Sequence, residues 1–193
     1  MKVPLRYQVT ETDCGIVTIL NAINFVYERE EIDPELMGII ANYSEIIRIN
    51  EQNVGHRWGM SRYAIKHITD LINNYSKTNK MRINAELLVE EDLKVDDPRI
   101  IDCLKKGGAV VLRVWQEYEH YSLLTNIDDK YAYIFDPYYL DKSEYDNDED
   151  VDILDDDIFK YNRKVKIERV NSTSTKDFAL VRNENRGVLL INR

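Results

Sequence analysis

An α+β fold, with N-terminal helices packed on a C-terminal antiparallel sheet, is predicted by three observations. Four capped segments with helical apolar spacing fill the first 108 residues, apolar patterning switches to period two from Ala109, and Asp128-Asp129 separates two such runs.

The first helix is expected from about Cys14 to Tyr27, after the polar "TETD", because apolar residues recur at 16, 17, 19, 20, 23 and 26. Thr12 or Asp13 would cap it. "DPELMGIIANY" places Asp33 as N-cap and Pro34 in the first turn, and "SRYAIKHITDLINNY" opens with Ser61 and repeats Ile65, Ile68, Leu71, Ile72 and Tyr75. In "DPRIIDCLKKGG" Asp97 and Pro98 start a fourth helix, and Lys-Lys-Gly-Gly supplies the C-terminal charge and left-handed stop.

Strands are predicted at 81–89, 109–115, 120–127, 130–136, 164–170, 178–182 and 187–192. Asp128-Asp129 and "NENRG" supply the turns of two hairpins. The dense acidic run 141–157 reads as a solvated loop whose last aspartates cap a short helix, "DIFKYN". Asp146, Asp148 and Asp150 alternate as in a calcium loop with Asp157 at its twelfth position, but Val151 stands where such a loop needs Gly, so no metal is expected. The chain thus reads as one domain over 1–193, with 141–157 an acidic loop and 158–193 a C-terminal extension adding strands.

Of 193 residues, 44% are hydrophobic and 32% charged, enough for a sizeable core, and the formal charge is −9. That charge repels phosphate backbones and anionic lipid, which argues against nucleic-acid partners and favours basic ones. "MKVPLRYQVT" has no signal-peptide core and no stretch is long and apolar enough to span a membrane, so a cytoplasmic chain without membrane insertion is expected. Cys14 and Cys103 lack CxxC spacing, which points away from a disulfide framework or zinc site.

Cys14 is predicted at a helix N-terminus, where unpaired amides and the dipole favour thiolate, and Gly15 would let a substrate approach. An activated thiol needs an imidazole and a group to orient it. His67 falls on a helix between core positions, and His56, in "NVGHRWGM", has nothing near it to orient a ring. His120 opens the strand "HYSLLTNI", and the chain returns after Asp128-Asp129 to bring Asp136 opposite it within one or two residues of register. Gln8 could donate to an oxyanion, a contribution of about 3 to 4 kcal/mol in other acyl-transfer enzymes. Cys103 is expected to pack inertly with Ile100 and Leu104.

Gln8, Asp13-Cys14-Gly15, His120-Tyr121 and Asp136-Pro137, in that order, resemble the papain-like cysteine peptidases of the double-glycine leader-peptidase (bacteriocin-processing) type. The likeness extends to Gly59, the Gly107-Gly108 turn and "AVVLRV", covering roughly 4 to 139. It implies a papain-like fold, Cys14 as nucleophile, His120 as general base and acid, Asp136 as its orienter, Gln8 with the Cys14 amide as oxyanion hole, and no cofactor. The chain departs from the family in Ile16, Val17 and Thr18 after the thiol, and it carries no GxxxxGK[ST] loop of an attached exporter. The expectation is therefore a stand-alone cysteine peptidase or amidase acting on a peptide or protein. An acyltransferase of transglutaminase type, or a peptide-binding module without catalysis, are the alternatives.

Overall fold

The structure is a computed structural model that describes residues 1–43, 47–48, 57–79, 81–181 and 186–193, of which 47, 48, 57, 58, 155 and 156 are described by their backbone. His56 and most of "NENRG" therefore lie outside the described residues. Helices α1 (Cys14–Val26), α2 (Pro34–Tyr43), α3 (Arg62–Thr78) and α4 (Pro98–Lys105) begin where their caps predict. Ser61 Oγ accepts from the Ala64 amide at 3.1 Å, and Asp97 Oδ1 accepts from the Arg99 amide at 2.8 Å. Gly107, with φ +77°, takes the left-handed step that ends α4.

Two short strands, β1 (Ile47–Arg48) and β2 (Arg57–Trp58), pair with each other. The main sheet comprises β3 (Asn84–Val89), β4 (Ala109–Gln116), β5 (Tyr118–Ile127), β6 (Tyr131–Phe135), β7 (Val151–Asp157), β8 (Tyr161–Lys166) and β9 (Gly187–Asn192). Their spatial order is β3-β9-β4-β5-β6-β8-β7, antiparallel at every junction. The class is α+β, as predicted.

Alternation along the strands separates two apolar layers. Ala109, Val111, Tyr121, Leu123 and Ile191 join the core of α1, α2 and α3, whereas Val110, Leu112, Val114, Leu124 and Leu190 face the other way, with Ile100 and Cys103 of α4 and Val170 of α5 (Ile167–Asn171). The helices expected to pack together at one side of the sheet are divided, with α4 on the face opposite α1, α2 and α3. Strands as apolar as "AVVLRV" expose hydrophobic side chains on both faces, and each face needs a cover.

Three further expectations change. The acidic run is a loop only in its first part, through a 3-10 turn at Lys142–Tyr145; from Val151 it becomes the edge strand β7, and "DIFKYN" is the turn into β8 rather than a helix. Its charge is met by cations: Arg169 binds Asp148 and Asp150, Lys166 binds Asp150, and Lys164 lies 3.5 Å from Asp152. "KVKIERV" is strand only to Lys166 and then turns into α5. Residues 178–181 run beside β4 through the bridge of Val114 to Leu180 and backbone hydrogen bonds at Phe178, Ala179 and Val181, residue 182 lies outside the described residues, and among the described residues β9 pairs with β3 and β4 rather than with them. The segment 158–193 thus supplies β8 next to the edge strand β7 and β9 between β3 and β4.

Candidate active site

The first turn of α1 is shaped by the loop before it. Asp13 occupies the N-cap position without a side-chain cap; its carboxylate instead accepts the amides of Val9 at 3.1 Å and Thr10 at 3.0 Å, folding residues 9–13 into a tight approach. Cys14 follows as the first helical residue, and the opening amides of a helix have no intrahelical acceptor. No acidic side chain in that turn opposes negative charge on its sulfur.

Gly15 has a different reason from the one expected of it. A Cβ there would lie 2.7 Å from Met60 Cβ and 3.2 Å from the Tyr121 ring, so the missing side chain lets α1 seat against β5 rather than opening a path for substrate. Thr18 Oγ1 donates to the Tyr121 carbonyl at 2.9 Å, and Tyr121 donates its hydroxyl to the Met60 carbonyl at 3.0 Å. The glycine beside the thiol is Gly59, where a Cβ would come 3.9 Å from Cys14 Sγ.

These contacts bring α1 against the residue before Tyr121, which is His120. Cys14 and His120 are both buried, and Asp136 is wholly so. His120 Nε2 lies 2.7 Å from Asp136 Oδ1, which leaves Nδ1 for another partner, and the buried Cys14 sulfur is near enough to act on the ring. Burial alone disfavours the charged ring, but the Asp136 carboxylate by charge and hydrogen bond, and then the Cys14 sulfur, outweigh it and raise the His120 pKa to about 10. The arrangement can hold a proton on the imidazole beside the Cys14 sulfur.

The hairpin register is close to the expected one. Leu123 pairs with Phe135 and Leu124 with Ile134, so Asp136 continues the ladder towards Ser122, one step along the same face from His120. Around the carboxylate, the Tyr138 amide donates to Oδ1 at 3.1 Å and Gln116 Nε2 makes a long contact of 3.5 Å to Oδ2. The ring of Tyr138 packs edge-on to His120, and the charge of Glu11 raises the phenol pKa of Tyr138.

Gln8 sits at the same end of the sheet, its backbone amide donating to the Pro137 carbonyl at 2.8 Å. One Nε2 hydrogen is engaged by the Thr10 carbonyl at 2.9 Å, which leaves the second, and Oε1 has no hydrogen-bond partner among the described residues. His67 is on the exposed side of α3 against Tyr43. Cys103 is buried with Ile100, its thiol turned to the carbonyls of Ala109 and Ile191 and its pKa pushed up by burial.

Two residues at this site escape sequence reasoning. Asn162 and Arg163, both buried, bond the backbone of Asp136 and Tyr138. The only signal was a polar pair inside an otherwise strand-like run, and reading "DIFKYN" as a helix concealed it.

Comparison with curated proteins finds no match. Among solved structures, one described as a double glycine motif protease from an AMS/PCAT transporter in complex with the leader peptide aligns with 14% identity and a TM-score of 0.47, covering 99% of this chain and 90% of that one. The model of the Peptidase_C39 like family matches residues 1–166, a span that contains Cys14, His120 and Asp136. Among the described residues no helix is long and apolar enough to cross a membrane. With a match over so much of its length, the chain belongs to the Peptidase_C39-like family of cysteine peptidases.

Proposed function

We propose that Cys14, His120, Asp136 and Gln8 form the catalytic apparatus of a peptide-bond hydrolase. The observation that carries this reading is the imidazole of His120 at 2.7 Å from the buried Asp136 carboxylate, with the buried Cys14 sulfur acting on the same ring. His120 Nδ1 takes the thiol proton, and the sulfur adds to the substrate carbonyl carbon as the carbonyl π pair moves onto oxygen. The second Nε2 hydrogen of Gln8 and the Cys14 amide receive that oxyanion. As the tetrahedral centre collapses, the C–N bond breaks and His120 gives its proton to the departing amine. Water, deprotonated by the same ring, then adds to the thioester, and the thiol leaves with a proton restored. Asp136 holds the ring in the tautomer that keeps Nδ1 for sulfur.

The substrate in this reading is a peptide or protein, with basic side chains favoured by the −9 charge of the chain. Two free, buried thiols suit a reducing cytoplasm. Exposing a peptide library to the wild type and to Cys14→Ala tests the assignment. Cleavage products from the wild type alone are expected; equal cleavage by the variant would overturn it.

A further inference from the structure

Asp136 precedes a proline, which biases it towards extended backbone, and Pro137 has no amide with which to continue a ladder. The β6–β8 pairing indeed stops at Ile134 and Arg163. Yet Asp136 is fully buried, so its own N–H and C=O need partners. Both find them in one side chain. Asn162 Oδ1 accepts from the Asp136 amide at 2.7 Å, and Asn162 Nδ2 donates to the Asp136 carbonyl at 2.9 Å and to the Tyr7 hydroxyl at 3.3 Å.

The following residues are held as well. Gln8 donates its amide to the Pro137 carbonyl at 2.8 Å, and Arg163 donates to the Tyr138 carbonyl at 3.1 Å. The turn that carries the Asp136 carboxylate is therefore fixed at three successive carbonyls, and at its first residue by a planar group with a donor and an acceptor side by side. Among side chains of this size only an amide offers both; a carboxylate lacks the donor and leucine lacks both.

We infer that Asn162 is a positioning residue of the active site, its amide setting the backbone of Asp136 so that the carboxylate meets His120. This rests on the Cys14–His120–Asp136 reading above. Catalytic groups work within about 0.5 Å of their productive geometry, and a buried backbone pair is a stiff way to achieve that. Loss of the clamp would let Asp136 drift from His120, weaken the imidazolium, and so withdraw support from negative charge on Cys14.

The test is the rate of Cys14 alkylation by iodoacetamide over a pH series, read by peptide mapping on the full chain, with folding checked by circular dichroism. Asn162→Ala is expected to slow alkylation at mildly acidic pH by about 10- to 100-fold, the scale of a misplacement near 1 Å, and to move the acid limb of the profile to higher pH. Asn162→Gln keeps both polar groups on a stem one methylene longer and should move the limb the same way by less; it decides the matter if the alanine variant does not fold. A role in stability alone would leave the limb of folded protein where it is, and a wild-type profile in a folded variant would overturn the inference. A wild-type Cys14 no more reactive than free cysteine at mildly acidic pH would instead remove the reading beneath it, whatever Asn162 does.

Discussion

His120 Nε2 and Asp136 Oδ1 are 2.7 Å apart, joined across a hairpin whose ladder offsets them by one step along the same face. The carboxylate is wholly buried, so little solvent screens its effect on the ring. Asp136→Asn keeps the shape and removes the charge. It should lower kcat by about 10²- to 10⁴-fold, since both the tautomer and the proton affinity of His120 depend on that carboxylate. A titration of the His120 ring by NMR should show its pKa fall in the same variant.

Gln8 presents one amide hydrogen beyond the one held by Thr10. If it meets the oxyanion, Gln8→Ala costs about 10²- to 10³-fold in kcat with KM little changed, because the bond forms only as charge develops. Steady-state kinetics on any cleaved peptide separates this from a binding loss, which would raise KM instead.

Gly15→Ala would place a methyl group 2.7 Å from Met60 Cβ and 3.2 Å from the Tyr121 ring. Overpacking of this kind costs about 1–3 kcal/mol, so the variant should unfold at lower denaturant concentration. Because Tyr121 adjoins His120, alkylation of Cys14 should slow as well.

His120 binds its proton more tightly in the folded chain than in the unfolded one, where an imidazole titrates near roughly 6.5. Its contribution to stability is therefore complete below that value and is lost as pH rises towards about 10. Across this window the denaturation midpoint of the wild type should fall relative to that of His120→Gln; parallel curves would mean the ring is not held as charged.

Local physics made much of this legible. Ser61, Asp97 and the Asp33-Pro34 pair announce their helices because capping is decided within a few residues, and the Asp128-Asp129 turn sets a hairpin register that carries Asp136 to within reach of His120. Asn162 was not legible, since its partner is the backbone of a residue 26 positions away. The acidic run misled for a similar reason: nothing near Asp148 and Asp150 reveals that Arg169 will face them both. Gly15 was recognised as a close approach, but what approaches is Met60, brought in by α3 and its preceding loop.

Cys14 and Cys103 are both buried thiols, one at a helix start beside an imidazole and the other facing carbonyls in the core. A single equivalent of a thiol alkylating reagent, followed by mass spectrometry of the peptides, tests the central claim most directly. Modification of Cys14 with Cys103 untouched, and its slowing in His120→Ala, is the predicted result; modification of Cys103 while Cys14 stays free would contradict it.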